Sequence, residues 1–250
     1  MEQSTQPVML VLGATGGIGS ELSRQLASTG CRLICASRAE NLPPHLVEAL
    51  GSSEFISTDV TDPKRVKECM ERVVDRHGRL DGVALCVGSV LLKPAHSTSD
   101  AEWDETLRVN LTSAFHVLRA ATQAMRPTGG SIVFVSSVAA RRGLANHEAI
   151  AAAKAGIIGL TLSGAATYAR YAIRVNCVAP GLVRTPLTQS ITGNEAALRY
   201  STSLHALRRI GEPAEVASAI RWLLDPLQSW ITGQVIGVDG GLASIQPTNN

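Results

Sequence analysis

Aromatic residues are scarce in this 250-residue chain: Phe, Trp and Tyr make up 4%, three of each. The tyrosines, Tyr168, Tyr171 and Tyr200, all lie in the last third, so chemistry that needs a phenol has few places to find one. Charge of one sign is also lacking. The 23 Lys+Arg and 21 Asp+Glu leave +2, which excludes a mainly electrostatic grip on nucleic acid or an anionic membrane. No run reaches the ~18 apolar residues of a membrane span, and the first residues lack the basic and apolar pattern of a leader. The five cysteines (Cys31, Cys35, Cys69, Cys86 and Cys177) are an odd, scattered set without CxxC. They read as small buried hydrophobes of a reducing compartment. His45, His77, His116 and His205 show no metal-ligand spacing. A soluble, cytoplasmic protein without metal is expected.

What is present is core material: 45% hydrophobic and 18% charged residues, suited to one sizeable domain. Short apolar runs at 8–12, 32–36, 54–58, 82–87, 131–136, 174–178 and 235–238 alternate with longer amphipathic stretches. Several helix starts are legible. Asp62-Pro63 supplies a cap and a first-turn proline, Ser99 with Glu102 reads as a capping box, and Glu212-Pro213 opens a helix that Pro226 ends. This βαβ rhythm predicts an α/β fold: a single, doubly wound parallel sheet of about seven strands, Rossmann-type, with helices on both faces. Residues 185–207 break the rhythm and are expected to carry short helices that cover a site, or to be a plain surface excursion. Ligand-binding loops should follow the carboxyl ends of the strands.

After the first run comes Gly13-Ala14-Thr15-Gly16-Gly17-Ile18-Gly19, which leads into a helix expected over 20–28. Glycine lets the backbone turn sharply and approach a pyrophosphate, and the helix N-terminus offers free N–H groups and partial positive charge. A nucleotide site is expected here.

The spacing Gly13-x-x-x-Gly17-x-Gly19 resembles that of the short-chain dehydrogenases/reductases. Asp59-Val60, Asn110 in Arg108-Val109-Asn110-Leu111 and Ser137 at the end of Ile132-Val133-Phe134-Val135-Ser136-Ser137 follow the same family pattern in order. So do Gly88, Lys154 in Ala151-Ala152-Ala153-Lys154-Ala155, the segment Pro180-Gly181-Leu182-Val183-Arg184-Thr185, and the ending from Arg209-Ile210-Gly211-Glu212-Pro213 to Asp239-Gly240-Gly241. The resemblance covers nearly the whole chain. It implies hydride transfer between a nicotinamide cofactor and a carbonyl or alcohol of a small molecule. Cofactor contacts are implied for Gly13, Thr15, Gly17, Ile18, Gly19, Asp59, Val60, Gly88, Lys154, Pro180, Gly181, Val183 and Thr185, and catalytic roles for Asn110, Ser137 and Lys154. It also implies a homo-oligomer, tetramer or dimer, built on helices around 100–126 and 148–171. The small face Ala151, Ala155, Gly159 and Ala166 would permit close approach.

A carboxylate ending the second strand would bind a ribose hydroxyl and repel a 2′-phosphate. This chain has Ser37-Arg38 instead, a hydroxyl and a guanidinium, which favours NADP(H) over NAD(H). Gly16 adds no second basic group, and Arg38 as an ordinary solvated residue is the alternative.

The family places a Tyr four residues before its Lys, on one helix face. Here that position is Ile150, and no tyrosine lies four residues before a lysine. Cys86 stands where the family commonly has Asn, in Leu85-Cys86-Val87-Gly88. If the helix reaches back to His147, that side chain shares a face with Ile150 and Lys154 and could act as the acid. Glu148, or a water held by Ser137 and Lys154, is an alternative source, and an iminium substrate would need no acid. Arg141 and Arg142 could face an anionic substrate or solvent; Lys93 and His96 receive no role. An oxidoreductase with an unorthodox proton is favoured over a silent NADP(H)-binding sensor or partner subunit.

Overall fold

The computed structural model describes residues 6–51 and 53–246, so the first five residues, read above for a leader, lie outside it. Among the described residues seven strands form one sheet in the order β3-β2-β1-β4-β5-β6-β7. They are β1 (Val8–Leu12), β2 (Arg32–Ser37), β3 (Glu54–Ser57), β4 (Gly82–Leu85), β5 (Gly130–Val135), β6 (Ile173–Pro180) and β7 (Val235–Val238). Every pairing is parallel. The central strands are buried on both faces, which explains their continuous apolar runs.

Alternation along β1 feeds two cores. Val8, Leu10 and Leu12 pack with α3 (Pro63–His77), α5 (Ser113–Met125) and α6 (Glu148–Tyr168). Met9 and Val11 pack on the other face with α1 (Gly17–Ala27), α2 (Pro44–Leu50) and α9 (Pro213–Leu224). Order reverses between β1 and β4, and the loops leaving these strands open a crevice at the carboxyl edge.

The expected caps form. The Asp62 carboxylate accepts from Lys64 N, and Ser99 and Glu102 make a reciprocal box at the start of α4 (Asp100–Leu107). Several elements differ from expectation. Helix α1 starts at Gly17 rather than at residue 20, because Ser20 N already bonds Gly16 O at 2.8 Å. Strand β4 stops at Leu85: after Cys86 N bonds Leu12 O at 2.8 Å, the chain leaves the sheet against Gly13. The stretch around 100–126 is not one regular helix, since a π turn, Arg108–Thr112, joins α4 to α5.

Helix α6 is long and apolar enough to cross a membrane by length and composition. Its buried residues Ala153, Ile157 and Ala165 nevertheless pack within the fold. Residues 185–207 do carry short helices, α7 (Gln189–Thr192) and α8 (Glu195–Leu204), after a 3-10 turn at Pro186–Thr188.

Candidate active site

The glycine turn is closely packed. Gly13 has φ +87, and a Cβ there would sit 2.9 Å from the carbonyl carbon of Cys86. A Cβ on Gly19 would lie 2.1 Å from Gly13 O, so the turn folds back on itself and only glycine fits. A Cβ on Gly17 would meet Thr185 Cγ2 at 2.7 Å, which places the end of the Pro180-to-Thr185 segment against the first turn of α1. That turn has no side-chain cap and no acidic residue. Its N–H groups and dipole suit a pyrophosphate, so the residues present fit a dinucleotide. Thr15 and Ile18 are half-buried on this turn.

Ser37 is buried, and its hydroxyl accepts from Ala39 N at 3.2 Å; Arg38 is exposed. Partial burial works to raise the Asp59 pKa. Hydrogen bonds from the amide and hydroxyl of Thr61, with the Arg38 and Arg108 charges, outweigh it and hold the carboxyl below its usual range. Val60 is buried, and its carbonyl lies 3.3 Å from His116 Nδ1.

Three elements converge at Gly88. A Cβ on Gly88 would lie 3.0 Å from Asn110 Oδ1 and 3.3 Å from Lys154 Nζ. Asn110, buried in the π turn, donates to Thr106 O at 2.9 Å and to Ser89 Oγ at 2.8 Å, and accepts from Ser89 N at 3.1 Å. Lys154 donates to Val135 O at 2.9 Å, and its burial pushes the ammonium down to about 8. Burial pushes the neighbouring Cys86 thiol up to about 12, against the pull of Lys154, so it stays protonated.

Ser137 is extended at the end of β5, and its Oγ accepts from Ala139 N at 3.1 Å, which leaves the hydroxyl proton available. One α6 turn before Lys154, Ile150 is buried to 5% exposure. Ser137, Ile150 and Lys154 line a cavity of about 560 Å³ together with Ile18, Gly88, Pro180, Gly181, Val183 and Thr185.

His147 also lines this cavity, but the face argument for it is not met. It is the N-cap of α6, with non-helical φ −113 and ψ 12. Its Nδ1 lies 2.7 Å from Ala145 O, an acceptor, so Nδ1 carries the proton. Arg141 and Arg142 do not line the cavity, and the Arg142 guanidinium donates to Leu242 O. Lys93 pairs with Glu102 at 2.8 Å.

Sequence reading missed three residues. Ser89 is the partner of Asn110. Ser136 Oγ donates to Lys154 O at 2.8 Å. His205, 2% exposed, places Nδ1 2.7 Å from Ser201 O and accepts from Leu182 N at 3.2 Å, which ties α8 to the chain after β6. The doubled serine was the only available signal. Nothing local marks His205.

An all-parallel sheet in this order, with a glycine turn after β1, defines a Rossmann-type α/β protein. A family model described as enoyl-(acyl carrier protein) reductase matches residues 13–243. The chain is 38% identical over 248 residues to a 3-oxoacyl-[acyl-carrier-protein] reductase of Thermotoga maritima, covering 94% of this chain and 97% of that one. A solved short-chain type dehydrogenase/reductase from Mycobacterium ulcerans superposes with TM-score 0.89 at 30% identity, over 96% of this chain and 91% of its own. ElxO with NADP bound gives TM-score 0.90 at 26% identity, over 96% and 100%. The chain belongs to the short-chain dehydrogenase/reductase family of oxidoreductases.

Proposed function

We propose that the protein is an NADP(H)-dependent oxidoreductase acting on a carbonyl or alcohol of a small molecule, without the family's tyrosine acid. The observation that carries the reading is the convergence of Asn110 and Lys154 on Gly88, beside Ser137 and the glycine turn. The nicotinamide, when bound, exchanges a hydride with the substrate carbon.

The chain's own residues do the rest. The α1 N-terminus, Gly13, Thr15, Gly17, Ile18 and Gly19 hold the pyrophosphate, and Asp59 and Val60 flank the adenine. Gly88, Pro180, Gly181, Val183 and Thr185 contact the nicotinamide end. Ser37 and Arg38 receive the 2′-phosphate, where a guanidinium forms bidentate charge-assisted bonds. The NADP bound in the similar structure of ElxO supports this preference. Lys154 donates to the nicotinamide ribose, Asn110 holds the loop at Ser89, and Ser137 donates its free hydroxyl proton to the substrate oxygen. Residues 185–207 act as the substrate-covering segment. The oxygen's proton comes from a water between Ser137 and Lys154, or from the His147 imidazolium. The exposed small face of α6 at Ala155 and Gly159 supports assembly with a second copy.

Dissociation constants for NADPH and NADH test the cofactor, and tighter NADH binding would overturn it. Oxidation of NADPH against a panel of carbonyl compounds tests the activity. Buried Ile150 in the acid's place favours a second reading, a silent NADP(H)-binding protein. Tight NADPH binding with no turnover of any carbonyl would select it.

A further inference from the structure

His205 is a buried imidazole whose two ring nitrogens are both committed to main chain, each on a different element. Nδ1 lies 2.7 Å from Ser201 O, one turn back on α8, and carries the proton. Nε2 accepts from Leu182 N at 3.2 Å and is the only partner of that N–H among the described residues. Glycine gives the ring room to reach it. A Cβ on Gly181 would sit 2.5 Å from Nε2, and one on Gly240 would sit 3.5 Å from Cδ2. No ion pair holds the imidazole. The Asp239 carboxylate nearby is taken by Gly241 N and Ala243 N, and Arg209 is paired with Glu215.

The two contacts join opposite walls of one cavity. Leu182 belongs to the segment 180–185, whose far end, Thr185, packs on Gly17 of the glycine turn. Its neighbours Gly181 and Val183 line the cavity with Ser137 and Lys154. On α8, Ala197, Ser201 and Leu204 line the same cavity at i, i+4 and i+7, the spacing of one helix face. The ring is rigid, so its two nitrogens keep a fixed separation and a shift of either wall is felt by the other.

We propose that His205 is a positioning residue for the reaction. Through Leu182 N it fixes the backbone that receives the nicotinamide end of the cofactor, and through Ser201 O it holds α8 over the same cavity. This rests on the cofactor reading above and adds to it a residue that acts through main-chain contacts. Without the imidazole the segment 180–185 samples positions that do not receive the nicotinamide, and affinity falls by the fraction of time it is misplaced.

Equilibrium binding of two ligands to the full chain tests the proposal: NADP+, and 2′,5′-ADP, which carries the 2′-phosphate but no nicotinamide. Both are measured in the wild type and in the His205→Leu and His205→Gln variants. Leucine fills much of the space but leaves Leu182 N unpaired, whereas glutamine returns an acceptor. His205→Leu is expected to raise the NADP+ Kd about tenfold and leave that of 2′,5′-ADP within about twofold, with most of the loss recovered in His205→Gln. Amide exchange across α8, followed by mass spectrometry, should slow on NADP+ binding in the wild type and the Gln variant but not in the Leu variant. Unchanged NADP+ binding in His205→Leu, equal losses for both ligands, or a Gln variant no better than Leu overturns the proposal. Equal protection of α8 in all three proteins overturns the link to that helix. A wild-type chain that binds neither ligand loses the cofactor reading and this proposal with it, while one that binds both and is indifferent to His205→Leu loses only the proposal.

Discussion

Ser136 Oγ donates to the main-chain oxygen of Lys154 at 2.8 Å, with both groups buried. One hydrogen bond thus ties the end of β5, which carries Ser137, to the helix that carries Ile150 and Lys154. Lys154 Nζ returns the link by donating to Val135 O at 2.9 Å. The two contacts set the distance between strand and helix from both sides. Replacing Ser136 by Ala is expected to cost about 1 kcal/mol of stability in urea unfolding and to weaken NADPH binding, since the floor of the site loosens. Unchanged stability and affinity would show that α6 holds its position by packing alone.

The Ile150→Tyr variant puts a phenol one helical turn from the Lys154 ammonium. Supplying a positioned acid is worth about 10²–10⁴ in rate, so NADPH-dependent ketone reduction should rise by that order at neutral pH. The cavity gives the larger ring room. Turnover that stays flat in a folded, NADPH-binding variant would show that the scaffold no longer presents position 150 to substrate.

Arg38→Ala should raise the NADPH dissociation constant about tenfold, a loss of about 1.4 kcal/mol, and leave NADH within about twofold. Equal effects on both cofactors would mean that Arg38 does not read the 2′-phosphate.

Burial lowers the Lys154 pKa from 10.5 to about 8, so the charged amine costs the folded state stability at neutral pH. Below about pH 8 both folded and unfolded chains carry the proton and the cost is constant. Between there and the unfolded value the unfolded chain binds more protons, so stability rises with pH. Lys154→Met removes this desolvation cost together with the hydrogen bond to Val135 O, so the rise in stability of the cofactor-free protein between about pH 8 and 10.5 should disappear in the variant. Chemical denaturation across that range checks the slope.

His147 lies outside the helix, with its Nδ1 proton committed to Ala145 O. A neutral imidazole in that state presents a lone pair, not a proton, at Nε2. His147→Ala is accordingly expected to leave the pH profile of turnover unchanged, with water as the proton source. Loss of the acid-favoured limb would identify the imidazolium as the donor instead.

Much of this molecule is local enough to read in one dimension. Seven apolar runs at the right spacing become seven parallel strands, because two-sided burial demands continuous apolar sequence. The cap at Asp62 and the box at Ser99 satisfy orphan N–H groups within their own first turn, so three or four residues specify them. Gly19 answers to a clash with Gly13 O inside its own seven-residue turn, whereas Gly13 and Gly17 also answer to Cys86 and Thr185. The gap at position 150 is likewise a matter of register along one helix.

Only tertiary structure decided the rest, because it depends on partners far apart in the chain. The π turn around Asn110 adds no compositional mark, yet it aims the amide at Ser89, 21 residues away. His205 looks like any surface histidine until Leu182 N, 23 residues earlier, is found on its Nε2. The two arginines after Ser137 could have faced substrate; the fold turns the Arg142 guanidinium onto Leu242 O, and the cavity is left apolar. Loop side chains follow no helical or strand period, so their direction is set by long-range packing, and with it the character of what this site can bind.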